Sequence, residues 1–449
     1  MSVNLASIGI TGIAAAEAQI AAAESNISNA SNPNYSIESV NLAASPSFNG
    51  AGAGVQILGT TRASAPYLDT QINSTQSDMS YNQSYSQAVA LAQQILEPSS
   101  GNDLSAALQN IINAFTNLSA SPQNSTVRSS AIASLSQFAQ VSQNVSSGLA
   151  STANNQLLQI PTLVDQINQA SSQIAQLNQQ IVAAKAGGQS GAALEDQRDA
   201  LVNQLAGLVG ASADSQGNVT VGGVPLVSGT SALTLSTSGS GVSLSLQVTL
   251  PNGNLPITSN QVGGSLGGIL SAAMDTIQLQ SDVNSLTASV ASAMNGQASS
   301  GYGLDGSTGT NLFTIAPGGT IALNPALSVQ NLGASATAAG VPGDGSNATA
   351  IASLLNSAAI YAASPNATPV QAFAGIASNF GTVVQNANNS QQQASASLQS
   401  LTQLKGSITG VSLNDQLTNL IQYQNLLEAS GRAVQAVNDL TTFLVQTLT

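Results

Sequence analysis

The chain has 449 residues, a net charge of −13, and few charged or aromatic side chains, at 6% and 3% of the sequence. Ordinary soluble domains carry about 25% charged residues, yet large apolar residues recur here at regular spacing, which argues against a disordered chain. The lack of cysteine and histidine excludes disulfides, thiol nucleophiles and the usual zinc ligands.

The six basic residues are scattered, and no two of them are adjacent. Because nucleic-acid binding requires clustered lysine and arginine, we predict no nucleic-acid partner. The uncharged N-terminal stretch lacks the basic flank of a signal peptide and is too short to span a bilayer. No membrane insertion is therefore predicted.

Residues 1–30 are predicted to form an alanine-rich helix with one apolar seam. The apolar side chains of that seam are Val3, Ile10, Ile13, Ile20 and Ile27. Their steps of three and seven residues are typical of a coiled coil. Turn-forming residues around Pro33 are expected to end the helix, and residues 35–60 are predicted to be extended.

The middle of the chain alternates between helical and strand-like patterns. Helical spacing returns after Pro66 and continues, with interruptions, to about residue 209, and Pro161 is expected to split it. Between about 212 and 260 the apolar period changes to two, which predicts a small β-domain inserted into a helical framework. A helix from about 265 to 295 and a glycine-rich loop with short strands follow.

The last hundred residues are predicted to be helical, with breaks near 365–369 and 406–410. The apolar side chains of the final helix are Leu413, Leu417, Leu420, Leu427, Val434, Val437, Leu444 and Leu448. Both ends of the chain thus carry the same kind of seam, which predicts a subunit that is joined to others by its terminal helices. We expect both ends to be mobile in the monomer, because one seam cannot offset the entropy lost by ordering a long helix.

The predicted fold is mainly α with inserted β: coiled-coil-like terminal helices, a long-helix bundle and a small β-rich outer domain. Its predicted segments are 1–60 (N-terminal helix and extended segment), 61–211 (helical domain, first part), 212–262 (outer β-domain), 263–300 (returning helix), 301–345 (loop and β segment of the outer domain), 346–408 (helical domain, last part) and 409–449 (C-terminal helix).

Three local motifs have both a chemical and a structural interpretation. The cluster Glu195–Asp199 could supply an acid–base pair, but a helix surface on which Arg198 pairs with Glu195 is favoured. Gly263–Gly268 lacks the lysine of a P-loop and is interpreted as a turn with Ser265 capping the next helix. Gly301–Gly306 offers one carboxylate, too few for calcium. We predict no catalytic, cofactor or metal site, and no enzyme.

The segment Asn26–Tyr35, which follows an alanine-rich helix, resembles the N-terminal signature of bacterial flagellar rod, hook and hook-associated proteins. The matching positions are Asn26, Asn29, Pro33 and Tyr35. The family usually has glycine before the tyrosine, where this chain has Asn34. The C-terminal segments Gly410–Leu413, Leu420–Gln424 and Ala429–Arg432 are also similar to the family.

Motifs in the middle of the chain are more specific and resemble the hook-associated protein 1 branch. They include Leu194–Asp199, Gly263–Leu270 and the stretch from Gly301 to Phe313. The family-motif residues in these stretches are Asp196, Arg198, Asp199, Leu304, Asp305 and Gly306. The matches occur in the family's order along the whole chain.

This resemblance implies a homo-oligomeric ring at the joint between hook and filament, outside the cell, with hook protein and hook-associated protein 3 as neighbours. It further implies export through the flagellar type III apparatus and a cytoplasmic chaperone on the C-terminal helix. The alternatives are another axial family member (hook-associated protein 3 or hook protein), a secreted helical type III effector or translocator, or a wall hydrolase that uses Glu195, Asp196 or Asp199.

Overall fold

The computed structural model describes residues 2–45, 54–96, 103–239, 244–250, 253–358 and 360–448. For residues 2–5 and 448 the side chains are not described, so the predicted seam residues Val3 and Leu448 lie outside the described side chains.

Helices dominate the described residues. They are α1 (Ser2–Ser28), α2 (Pro66–Leu96), α3 (Leu104–Ala120), α4 (Ser125–Leu157), α5 (Ile160–Ala186), α6 (Ala192–Val209), α7 (Gly264–Ala298), α8 (Ser346–Leu355), α9 (Pro369–Thr409) and α10 (Leu413–Leu448). The predicted mainly-α class is confirmed.

The described strands form small antiparallel sheets between the helices. They are β1 (Glu38–Ala44), β2 (Val55–Arg62), β3 (Ser212–Ala213), β4 (Val219–Val221), β5 (Val224–Ser228), β6 (Ser231–Ala232), β7 (Thr234–Ser238), β8 (Ser245–Leu250), β9 (Gly253–Ile257), β10 (Phe313–Ile315) and β11 (Ile321–Leu323). Strand order is β1-β2, β3-β4-β5-β6, β7-β8-β9 and β10-β11. The segment with an apolar period of two therefore forms strands β3 to β9.

Local signals in the sequence set several helix ends. Pro161 lies in the first turn of α5, and α4 ends just before it, because proline has no N–H to give to a preceding turn. At the start of α9, Thr368 Oγ1 accepts from the Gln371 backbone N–H and Gln371 Oε1 accepts from that of Thr368. This reciprocal capping box fixes where α9 begins.

The described residues of the body (66–409) form two apolar clusters. One lies among α2, α3, α4, α7, α8 and α9, and in it Phe138 packs edge-on against Phe313 with ring centroids 5.9 Å apart. The other lies among α5, α6, the start of α7 and the strands from β4 to β9. Because α7 contributes to both clusters, it joins the helical and β-rich parts.

One local prediction is wrong. Ser265 does not cap α7: the cap position is Gly263, without a side-chain hydrogen bond, and the Gly264 N–H donates to Ser77 Oγ on α2 at 3.1 Å. A Cβ on Gly268 would lie 2.3 Å from the carbonyl oxygen of Tyr81. The glycines therefore allow α7 to pack closely on α2. At this distance Ser77 of α2, rather than a residue next to α7 in sequence, accepts a hydrogen bond from the first turn of α7.

Candidate assembly surface and axial joint

The terminal helices α1 and α10 pack against each other in antiparallel orientation. We call these two helices, the segment after α1 and the β1–β2 hairpin the axial unit (residues 2–62 and 410–448). The face of α1 toward α10 consists of small residues: a Cβ on Gly9 would lie 2.5 Å from Val434 Cγ2, and one on Gly12 would lie 2.9 Å from Ser430 Oγ. Ala16 and Ala23 continue this face and are buried. Only small side chains permit this close approach.

The predicted seam of α1 is not the face that contacts α10. Ile10 is 58% exposed, and Ile13, Ile20 and Ile27 are half-buried. Ile10 and Ile13 directly follow Gly9 and Gly12 along the chain, so they flank the contact. Intramolecular packing thus leaves much of the predicted seam available to other chains.

The predicted seam of α10 divides into two sets. Half-buried residues are Leu420, Leu427, Val434 and Val437, and Val434 lies against Gly9 of α1. Exposed residues are Leu413, Leu417 and Leu444, and further exposed apolar side chains on the same helix are Ile421, Leu426, Leu440 and Phe443. Exposed apolar residues in this number on one helix mark an interaction surface.

A buried asparagine links the end of α1 to the start of α10. The side chain of Asn26 is 1% exposed and donates to Gln416 Oε1 at 3.0 Å and to the Glu38 carbonyl at 2.9 Å. Its Oδ1 accepts from the Tyr35 hydroxyl and from the Glu38 backbone N–H. Burial is the main cause that raises the pKa of the Tyr35 hydroxyl, so this tyrosine stays a neutral donor.

Two other motif residues shape the turn beside this asparagine. The Asn29 side chain donates to the carbonyl of Ser25 at 3.0 Å, and Pro33 is exposed in the turn that follows. Together they close the end of α1 and direct the chain into β1.

Arg62, at the end of β2, binds three carboxylates of α6. Its Nε, Nη1 and Nη2 donate to Glu195, Asp196 and Asp199 at 3.0, 2.7 and 2.5 Å. The second oxygen of Asp196 accepts from the Ser36 backbone N–H at 3.1 Å. Motif residues from the C-terminal end of α1, from the segment after it and from α6 therefore lie at one joint.

The predicted pairing of Arg198 with Glu195 is wrong. Arg198 lies against its neighbour Asp199 at 3.3 Å, whereas Glu195 binds Arg62 and, at 2.7 Å, Lys185. Glu195 binds Arg62 rather than Arg198 because Arg62, which comes from another element, can contact three carboxylates of α6 at once. The pairing also leaves these carboxylates neutralised by protein cations rather than arranged as an acid–base pair.

Ion pairing and burial oppose each other in this joint. Burial disfavours the charged form of Glu195, but hydrogen bonds from Lys185 and Arg62 outweigh it and hold its pKa below the usual value. Burial likewise disfavours charged Arg62, yet Asp199 and Asp196 raise its pKa. Glu38 has no such cation, and burial followed by the charge of Asp196 raises its pKa.

The Leu304–Gly306 motif lies elsewhere, in a loop of the body. Asp305 Oδ1 accepts from the backbone N–H of Ser307 at 2.9 Å, and the Leu304 N–H donates to the carbonyl of Gln330 at 2.6 Å. This is a closed turn, and no cluster of three or more Asp, Glu, His or Cys among the described residues could hold a metal ion.

Sequence reasoning missed Arg128, which anchors the same region. Its side chain is 1% exposed, and it donates to the carbonyls of Val329, Pro122 and Leu332. Burial lowers the pKa of its guanidinium and nearby Asp305 opposes that. The sequence signal for Arg128 was that the chain has only six basic residues, so each of them is a candidate for a specific contact.

The uncharged N-terminal stretch is predicted from the sequence to be too short to span a bilayer, but the helix in the structure is longer than that stretch. Ala6–Ser28 is long and apolar enough to cross a membrane by length and composition, with a mean hydropathy of 1.3. Alanine accounts for much of this value, and the same small residues pack on α10. Core helices of soluble proteins and N-terminal signal sequences also meet this criterion, so length and composition alone do not indicate a membrane span.

Comparisons with known proteins agree with the motifs. Residues 90–313, about half of the chain, match the family model described as the flagellar hook-associated protein FlgK helical domain. Flagellar hook-associated protein 1 of Salmonella typhimurium strain LT2 is 28% identical over 70% of this chain, and that of Escherichia coli K12 is 27% identical over 70%. The chain spans 59% and 60% of the length of these relatives.

A relative of similar extent and a solved structure complete the comparison. Flagellar hook-associated protein 1 of Bacillus subtilis strain 168 is 22% identical over 95% of both chains. The flagellar hook junction protein FlgK of Burkholderia pseudomallei has the same fold, with a TM-score of 0.64 at 17% identity over 76% of this chain and all of that structure. Together with the matching family model, these findings show that the chain belongs to the flagellar hook-associated protein 1 family.

Proposed function

We propose that this chain is a structural subunit of the bacterial flagellum that forms the ring between hook and filament. The observation that carries the proposal is the exposed apolar surface of α10 beside the half-covered isoleucines of α1. The described residues of this helix pair belong to neither apolar cluster, and packing against further copies of the chain would cover their exposed apolar side chains. The names of the family's relatives support the flagellum as the assembly in which this packing occurs.

In this proposal the subunits assemble outside the cell after type III export. The residues that carry their packing are Val3, Ile10, Ile13, Ile20, Ile27, Leu413, Leu417, Leu420, Leu427, Val434, Val437, Leu444 and Leu448. Neighbours in the axis are hook protein on one side and hook-associated protein 3 on the other. Before export a cytoplasmic chaperone covers the apolar face of α10. The role is mechanical, without a catalytic step.

The test is electron microscopy of source cells that lack this chain, with an assay for filament protein in the medium. We expect hooks without filaments and filament protein released outside. Normal filaments would contradict the proposal, and missing hooks would place the chain earlier in the axis.

Complementation of the deletion cells with a surface variant tests whether the exposed residues of α10 are needed for assembly. Leu413→Asp with Leu417→Asp places two charges on the exposed face of α10, and we expect it to fail to restore filaments. Leu158→Asp, at an exposed position between α4 and α5, is the matched control and should restore them.

A further inference from the structure

The axial unit and the body are joined by polar contacts rather than by a shared apolar core. Both apolar clusters of the described residues consist entirely of body residues. The two parts meet where β2 packs beside α6 and where the Ile37 N–H donates to the carbonyl of Thr409 at 2.9 Å. Apolar packing therefore does not set the angle between them.

The carboxylates of α6 contact the axial unit at two separate points. Arg62 reaches Glu195, Asp196 and Asp199 from the end of the hairpin, and the Ser36 N–H reaches Asp196 from the segment after α1. Charges balance locally, since three carboxylates face Arg62, Lys185 and Arg198. The Arg62 side chain is 14% exposed, so solvent screens these pairs less than surface pairs.

We propose that Arg62 is a positioning residue: with the acidic first turns of α6 it locks the axial unit at one angle on the body. Three separate donors on a planar guanidinium define both distance and direction. A lock built from ion pairs can be released without unfolding the body, because both apolar clusters lie on the body side of the joint. The proposal concerns the single chain and does not depend on the proposed function.

The test measures the angle directly, by pulsed electron spin resonance between two nitroxide labels. The chain has no cysteine, so Ser39→Cys on β1 and Gln176→Cys on α5 are the only labelled positions, and both residues are exposed. A label on β1 avoids the free ends of α1 and α10. We expect a single narrow distance distribution in the full chain and one at least twofold broader after Arg62→Gln.

Two variants separate positioning from simple loss of charge or fold. Lys185→Gln removes a cation from the same Glu195 but belongs to the body, and we expect the parent width. Arg62→Lys keeps the charge without the three-donor geometry, and we expect an intermediate width. An unchanged width in Arg62→Gln, or equal broadening in Lys185→Gln, would overturn the proposal.

Thermal unfolding of the body followed by circular dichroism checks the fold. We expect the Arg62→Gln midpoint to stay near that of the parent. If that variant unfolds, Asp199→Asn, which removes one of the three carboxylates, must still broaden the distribution; a parent-like width would then overturn the proposal.

Discussion

The body and the axial unit are held together by different interactions. In the body, large side chains such as Phe115, Phe138 and Leu205 are fully buried, so hydrophobic burial supplies most of the stabilisation. In the axial unit the contact between α1 and α10 consists of glycine, alanine and half-buried leucine and valine, with one buried asparagine. Both apolar clusters of the described residues thus stabilise the body, whereas the described residues of the axial unit belong to neither cluster.

The difference in stability between the body and the axial unit is tested most strongly by amide hydrogen exchange in the dilute monomer. We expect protection factors of the body helices α4 and α7 to exceed those at the free ends of α1 and α10 by several orders of magnitude, because local opening costs little where burial is small. Protection at both ends should rise on assembly. Equal protection of the ends and of α7 in the monomer would show that the axial unit is independently stable.

A cavity in the body should cost far more than a truncation on the axial surface. Phe138→Ala removes a fully buried ring, and we expect about 3–5 kcal/mol lower free energy of unfolding. Ile10→Ala, on the exposed flank of α1, should change it by less than about 0.5 kcal/mol. Denaturant titration followed by circular dichroism measures both. A similar loss in the two variants would contradict the division into body and axial unit.

Several helices and strands of the body could be predicted because their signals are local. Alternation of Val219 with Val221, the split at Pro161 and the break near 365–369 each depend on a few neighbouring residues. The axial unit was harder to predict because spacing alone does not choose between neighbouring faces of an alanine-rich helix. Ile13 and Ile20 are seven residues apart, but so are Gly9 and Ala16, and close approach of the helices favours the smaller residues.

The contacts between the axial unit and α6 could be predicted only in part, and the reason differs from that for α1. The motif residues Asn26, Tyr35 and Asp196 were identified by resemblance, but their partners Arg62, Glu38 and Gln416 are distant in sequence or of a common type. A pairing between Arg62 and Asp199 across 137 residues has no signal in local spacing. Arg198 was therefore assigned to Glu195, three residues earlier on the same helix, which is the wrong partner.

Two glycines test the close approach of α1 and α10 with opposite expected signs. Gly9→Ala places a methyl 2.5 Å from Val434 Cγ2, whereas a Cβ on Gly431 of α10 has open space around it. We expect overpacking to cost about 1–3 kcal/mol in the first case, partly offset by alanine's helix propensity. The second variant should gain about 0.5–1 kcal/mol from that propensity.

The readout for the glycine pair is thermal loss of terminal-helix signal in assembled subunits. Gly9→Ala should lower the midpoint and Gly431→Ala should raise it. A higher midpoint for Gly9→Ala would mean that α1 and α10 are farther apart in the assembly than in the single chain.

The smallest expected effect is the pH dependence that Glu195 contributes. Its folded-state pKa lies below its unfolded value of about 4.3, so its stabilisation is present above that value and is lost as pH falls through the folded pKa. Glu38, with a raised pKa, contributes with opposite sign, because its protonated form is favoured in the folded chain as the pH falls.

Glu195→Gln isolates this contribution when the free energy of unfolding is measured between pH 7 and pH 3. We expect the variant to be less stable than the parent by about 1 kcal/mol at pH 7, with the difference shrinking toward pH 3. Glu24→Gln, at an exposed position on α1, is the control for the loss of one carboxylate outside the joint. If the Glu195→Gln difference were constant with pH, the ion pairs with Arg62 and Lys185 would contribute no net stabilisation, and the joint would be held by neutral hydrogen bonds alone.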